Sequence, residues 1–513
     1  MATLGHLIKG AIHITDRLLP ETNPIEDQEN ILVELLHTSK ETKFGLNYGF
    51  KDILNAPNIA QAYAEKVPYH DYNAIHEPWW SKIEDGENDI TWPETPQYFA
   101  LSSGTTGNTS KRIPVTNAML KAIKNAGIKQ VLALRNFDLS ADFYEKDILM
   151  LGSSTDLRER VDNKLEGEIS GISASNIPFW FEPYYKPGKE ISQINDWDKR
   201  VERIAKEAKN WDVAALSGIP SWIELMLQKV ISYNNCKTIH DIWPNLQVYT
   251  SGGVAFGPYE KNFKALFGKN VFIIDTYLAS EGYIATQIRP DTNAMQLNTN
   301  HGIYFEFVPF DPEYITPQGG LVQNAPAITL SEVLKDVDYV LIISTVSGAW
   351  RYIIGDTITF TNTEHFEIKI TGRTKFFLNT VGSQLSVNKM DDGIKHLEDC
   401  FDTTIKEYTL AALRDKNGDY YHHWYLGTPY NGDPTTLATR LDTFLGEVNK
   451  NYKVARSKAL KYIKVSTVAP QIFNAWNAKQ KKKGGQVKMA RVMAEDKFKE
   501  WQQFVKDSTS KHK

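Results

Sequence analysis

Apolar positions recur along this chain at two periods, and the switch between them divides it. Through residues 1–80 the spacing is helical: Ile31, Leu32, Leu35 and Leu36 share one face, with Pro57 and Pro68 as punctuation. A proline-containing stretch from Thr91 to Pro96 leads into a short strand predicted at 98–101. A Ser/Thr/Gly-rich loop follows at 102–110, then KRIPVT, then a long helix from about Asn117. Further on, the run DILML at 147–151 reads as a buried strand. Residues 196–210 read as an amphipathic helix, with Val201, Ile204, Ala205 and Ala208 on one face and lysines and glutamates on the other. More strands are predicted at 246–250, 271–277, 304–308, 339–345 and 353–360. Strands alternating with helices predict an α/β fold of helix-covered sheets.

After Gly372 the pattern becomes a smaller strand–helix mixture (405–413, 423–426, 437–448) that ends in helix. With 513 residues the chain exceeds what one core organises, so the break predicts a large domain over 1–375 and a small one over 376–513. No internal repeat is visible, and the lysine run from Lys479 to Lys483, followed by two glycines, reads as a mobile loop. His422 and His423 sit beside aromatic residues and read as a packed pair.

Composition narrows the function classes. Lys and Arg number 58 against 62 Asp and Glu, a net charge of −4, so a generic nucleic-acid binder is not expected. Two cysteines, Cys236 and Cys400, cannot build a disulfide framework or a zinc cluster, and a reducing compartment fits them. The first residues lack a signal-peptide core, and no stretch reaches a membrane-spanning length. The expected location is the cytoplasm, with no membrane partner, as a monomer or weak dimer. A serine-hydrolase elbow, Gly-x-Ser-x-Gly, is absent from the sequence.

The strongest chemical signal is LSSGTTGNTSKRIP, from Leu101 to Pro114. Gly104 and Gly107 let backbone N–H groups face an anion. Ser102, Ser103, Thr105 and Thr106 add hydroxyl donors, and Lys111 adds a positive charge. A Gly-Lys-Ser/Thr ending at the required spacing is absent, so this is not a Walker A loop. The string resembles the phosphate-binding loop of the adenylate-forming (acyl-CoA synthetase/luciferase-like) superfamily. More narrowly, it resembles the auxin-responsive promoter (Gretchen Hagen type) family of acyl-acid amido synthetases. The resemblance implies a large adenylating domain with a β-barrel-like part and a small mobile α/β domain.

Further segments match that family in order. In YTSGGVAFGP, Ser251, Gly252 and Gly253 end a strand, where residues without side chains let a flat base lie against the backbone. In IIDTYLASEGYIA the resemblance implies that Thr276 and Tyr277 touch the adenine and that Glu281 holds Mg2+, a hard ligand for a hard cation. WRYIIGDTITF resembles the family's Tyr-Arg-x-Gly-Asp motif, with Arg351 in front of Tyr352 rather than behind it. There Gly355 is expected to make a turn, and Asp356 to accept both ribose hydroxyls.

KITGRTKFFL matches the superfamily hinge. Arg373 is implied to reach ribose or phosphate, and Lys375 to be the pivot. GGQVKMAR matches the C-terminal segment and makes Lys488 the implied catalytic lysine, with Val487 in place of an aromatic. LSGIPSWIELML, with Pro220 at an early helical position, reads as scaffold bordering the acyl pocket. The implied activity uses ATP and Mg2+. A small carboxylic acid becomes an acyl-AMP, and the acyl group passes to the amine of an amino acid. An acyl-CoA ligase and a non-catalytic binding homologue are the alternatives.

Overall fold

Helix caps and apolar stripes set the N-terminal third. In this computed structural model, Asn23 caps the helix Pro24–Ser39 by accepting the Ile25 N–H, and Pro24 opens it. The stripe Ile31, Leu32, Leu35 and Leu36 is buried against Phe44, Phe50, Tyr63 and Trp350. Thr116 caps the long helix Asn117–Ala133, and Asp196 caps Trp197–Glu207. The structure describes residues 3–18, 23–102, 111–160, 163–177, 181–253, 256, 259–316, 320–374, 377–378, 383, 385–479, 491–493 and 495–510.

The chain forms two compact units, divided after Thr374. In the first, β1 (Tyr98–Ser102), β2 (Lys111–Val115), β4 (Arg158–Glu159) and β5 (Leu165–Gly167) make a small sheet in the order β2-β1-β5-β4. The remaining strands of this unit are β3 (Asp147–Leu151), β6 (Tyr185–Lys186), β7 (Val213–Gly218), β8 (Val248–Gly252), β9 (Phe272–Ala279), β10 (Gly282–Thr286), β11 (Met295–Leu297), β12 (Ile303–Pro309), β13 (Asp338–Thr345), β14 (Tyr352–Asn362) and β15 (Glu367–Arg373). They form one 11-stranded sheet, β12-β13-β14-β15-β11-β10-β9-β8-β7-β3-β6. Its β6-β3-β7-β8-β9 half is parallel and the other half antiparallel. The parallel half follows from the helical connections between its strands.

The second unit contains β16 (Phe377–Leu378) paired with β17 (Leu385–Ser386), and a sheet of β18 (Glu407–Arg414), β19 (Tyr420–Gly427) and β20 (Leu460–Val468). The helices Val387–Phe401, Pro434–Val448, Pro470–Lys479 and Glu495–Ser510 belong to it. His422 and His423 are both buried on β19. Successive strand residues face opposite ways. His422 accordingly meets Tyr452, while His423 meets Phe498 and Ser466. Burial pushes both imidazoles down to about 3, so they are neutral packing groups.

Two expectations are corrected. The strand predicted at 246–250 runs Val248–Gly252, because Leu246 still belongs to the turn closed by its N–H to Trp243 O (3.2 Å). Gly355 makes no turn: it lies inside β14 at φ +87°, where the pairing with both β13 and β15 slips register nearby. It is a bulge residue, and the left-handed φ is what requires glycine.

Candidate functional site

Of the residues that the sequence singles out, Ser103, Gly104, Thr105, Thr106, Gly107, Lys375, Lys488 and the side chain of Arg373 lie outside the described residues, as does the lysine run beyond Lys479. The others belong to the first unit. Ser102 and Lys111 are direct register partners at the open end of the β1–β2 pair. The two ends of the Ser/Thr/Gly segment are therefore pinned side by side.

On the large sheet, β8 and β9 run parallel with Ser251 opposite Asp275 and Gly252 opposite Thr276. Thr276 Oγ1 donates to Ser251 O at 2.9 Å. A Cβ on Gly252 would meet that hydroxyl oxygen at 2.9 Å, and Gly253 holds φ +81°. The Gly-Gly pair thus keeps an uncovered stretch of backbone at the carboxyl end of β8, which is where ligands bind in open α/β sheets.

Tyr277 sits on β9 and Asp356 on β14, four strands apart in the sheet order. A flat sheet would separate them by roughly 19 Å. Instead the Tyr277 phenol donates a hydrogen bond to Asp356 Oδ2, so the antiparallel half curls back over β9. Both side chains are buried, as is Glu281 in the tight turn between β9 and β10. Burial and the neighbouring Glu281 carboxylate hold the Tyr352 phenol well above the ordinary tyrosine range. Asp356 is also the register partner of Arg373, and Thr374 N–H bonds Gly355 O at 2.9 Å. Two motifs that the sequence keeps apart thereby share one ladder.

Arg351 goes elsewhere. Its Nε contacts both Glu306 oxygens at 3.0 and 3.1 Å, and Nη1 donates to Ala64 O and Val67 O at 2.7 Å each. The guanidinium also lies 4.1 Å from the centre of the Tyr69 ring. All its visible work is structural.

Sequence reasoning missed three groups. Asp275 faces Ser251 and Lys369; burial pushes its carboxyl up to about 6, although both neighbours favour the charged form. Tyr352 was inside a quoted motif, but nothing marked it as the partner of Glu281. Tyr72 arrives from a distant segment: Arg112 N–H donates to its hydroxyl at 2.9 Å, Lys111 Nζ lies 5.3 Å from its ring centre, and its proximity raises the Tyr352 phenol further. Among the described residues no group of three or more His, Cys, Asp or Glu could cage a metal. Glu281 as a single buried carboxylate suits a magnesium ion whose other ligands are phosphate oxygens and water.

Sequence models of the GH3 family match residues 19–165 (N-terminal domain), 297–373 (central domain) and 388–497 (C-terminal domain). A jasmonoyl–L-amino acid synthetase from Nicotiana attenuata is 21% identical over 394 residues, covering 64% of this chain and 66% of the relative. An indole-3-acetic acid-amido synthetase from Arabidopsis thaliana is 23% identical over 200 residues, 37% of this chain and 36% of the relative. The matches to these two relatives thus span less than two thirds of their lengths.

Among solved structures, the GH3.15 acyl acid amido synthetase superposes with TM-score 0.57 at 15% identity, over 95% of this chain and 94% of that one. A 2-hydroxyisobutyryl-CoA ligase bound to 2-HIB-AMP and CoA gives TM-score 0.56 at 13% identity, over 95% and 93%. At such identities the likeness is one of fold. No described helix is long and apolar enough to cross a membrane.

Proposed function

Because this chain belongs to the GH3 family, we propose that it is an ATP-dependent acyl-acid amido synthetase. An oxygen of the substrate carboxylate attacks the α-phosphorus, a P–O bond forms, and pyrophosphate leaves with the electrons of the α–β bridge. The amine of an amino acid then attacks the acyl carbonyl, the C–N bond forms, the C–O bond to AMP breaks, and the former ammonium releases its protons to solvent. The single observation that carries this reading is the curl that puts Tyr277 on Asp356 beside the Ser251-Gly252-Gly253 edge. It gathers the base-binding and ribose-binding candidates from strands far apart in sequence.

In this reading Tyr277 and Thr276 flank the adenine, and Asp356 exchanges its phenol partner for the ribose hydroxyls. Ser102, Ser103, Gly104, Thr105, Thr106, Gly107 and Lys111 hold the phosphates, with Arg373 at ribose or phosphate. Glu281 would hold Mg2+, which supplies charge compensation on the phosphate oxygens. Lys488, carried by the C-terminal domain (376–513) with Lys375 as pivot, would stabilise the charge that builds during adenylation. Removing such a preplaced cation typically costs about 10²–10³-fold in rate. The acyl acid and the amino acid are small-molecule partners whose identities the proposal leaves to the assay, and the cytoplasm is the proposed location.

The same first step with a thiol acceptor is the second reading, favoured by the equally close fold of the CoA ligase. The test is pyrophosphate release with ATP, Mg2+ and a panel of carboxylic acids, each crossed with amino acids or CoA. Amino-acid-dependent turnover with amide products supports the synthetase. CoA-dependent turnover supports the ligase, and no release with any acid overturns both. Lys488→Ala is expected to lose at least about 10²-fold in release while still binding ATP; unchanged turnover would reject its role.

A further inference from the structure

The proposed phosphate segment has a feature that the family reading does not account for. Lys111 begins β2, and a single tyrosine from the N-terminal region contacts both that lysine and the backbone next to it. Tyr72 opens the short helix Tyr72–Ile75, which Asp71 caps by accepting the Ala74 N–H at 2.9 Å. Its hydroxyl accepts the Arg112 N–H at 2.9 Å, and its ring carries the Lys111 ammonium at 5.3 Å. The ring is braced in turn. It stacks on His76 (4.9 Å between centroids, 23° between planes), and His76 Nε2 is bonded to Glu84 Oε1 at 2.9 Å.

Glu84 also pairs with Arg112 and Arg160, each at 3.4 Å. Arg112 Nε donates to the buried Glu166 at 2.9 Å. The circuit therefore closes on itself: Tyr72, His76, Glu84, Arg112 and back to the Tyr72 hydroxyl. His76 begins a π-helical turn, His76–Trp80, a distortion that is found often at functional sites. On its other flank Tyr72 lies close enough to Tyr352, the partner of Glu281, to raise that phenol.

We propose that Tyr72 is the positioning residue of the nucleotide site: its ring seats the Lys111 ammonium, and its hydroxyl fixes the strand that bears it, beside the Tyr352–Glu281 pair. This rests on the amido synthetase reading only insofar as Lys111 meets the phosphates of ATP. The physical advantage is preorganisation. A lysine carries several rotatable bonds, and a neutral aromatic face holds its charge without cancelling it. Burial raises the Tyr72 phenol to about 12, so the face beneath the ammonium stays uncharged across the working pH range.

The experiment is a double-mutant cycle on the full chain, read by calorimetric titration with ATP and Mg2+, with thermal midpoints recorded for every variant. Tyr72→Leu removes both contacts and is expected to weaken ATP binding about 5–10-fold; Tyr72→Phe keeps the ring and is expected to stay within about 2-fold. In a Lys111→Met background, Tyr72→Leu should add almost nothing, because there is no ammonium left to seat. An equal loss in both backgrounds would mean that Tyr72 supports the fold rather than the lysine, and would overturn the proposal. So would a Tyr72→Leu variant that binds as tightly as the wild type. A wild-type chain that binds no ATP would instead refute the function itself.

Discussion

Arg351 and Tyr352 are consecutive residues, and each meets a buried glutamate. Arg351 meets Glu306 with a guanidinium, so the carboxylate is neutralised inside the fold, and two carbonyls and an aromatic ring satisfy the rest of the fork. Tyr352 meets Glu281 with a phenol, which brings no positive charge. Asp356, four residues on, is met the same way by Tyr277. The first arrangement is a closed account of charge that ties the N-terminal helices to β12 and β14. The second brings uncharged phenols to its carboxylates. A phenol is easily displaced by a ribose hydroxyl or outbid by a metal ion; a buried guanidinium paired with a carboxylate is not.

Variants of each arrangement test the difference, and Asp275 adds a buried carboxyl beside them. The largest effect is expected for Arg351→Met, which strands Glu306 in the core. Removing one partner of such a pair costs about 3–5 kcal/mol, so the first unfolding transition in urea should shift far down. Adding Glu306→Leu should recover much of the loss. A wild-type-like midpoint in the single variant would show that the pair contributes little. Next comes Asp356→Asn, which keeps an oxygen for the Tyr277 phenol. It should leave the thermal midpoint nearly unchanged yet weaken ATP binding about 10–100-fold, the usual range for losing charge-assisted hydrogen bonds; a stability loss without an affinity loss would put Asp356 in the structural class beside Glu306.

The smallest effect is expected at Asp275. Its carboxyl is pushed up to about 6 in the fold against about 3.9 in an unfolded chain, so the folded state favours the protonated form. The sign follows: relative to Asp275→Asn, the wild type should lose stability as pH rises from about 4 to 6, by at most about 3 kcal/mol and by less once solvent screening of its partly exposed side chain is counted, and run parallel above that. Parallel curves from pH 4 upward would mean that Ser251 and Lys369 fully offset the burial.

Much of the site was legible because strand periodicity and local chemistry coincide there. Tyr277 and Glu281 were implied by the family resemblance, and the structure puts the first inside β9 and the second in the turn after it. Ser251 and Gly252 end β8 as their lack of bulk suggested. Other features depend on contacts that spacing cannot encode. Glu306 lies 45 residues before Arg351, and only the β12–β13–β14 register places it underneath. Gly355 read as a turn because Gly-Asp commonly makes one, whereas a bulge inside a long strand uses the same left-handed φ. Tyr72 was invisible because its parallel run beside β14 rests on a single bridge, His70 to Tyr352, formed by backbone groups without sequence preference.

Hydrogen exchange with and without ATP and Mg2+ tests most directly whether these separated segments enclose one nucleotide. We predict slowed exchange, at a common ATP concentration, in peptides containing Lys111–Val115, Gly252 and Gly253, Tyr277–Gly282, and Gly355–Thr357. Protection confined to one of these, or appearing only around Lys189–Trp211 in the helical stretch between β6 and β7, would contradict the account.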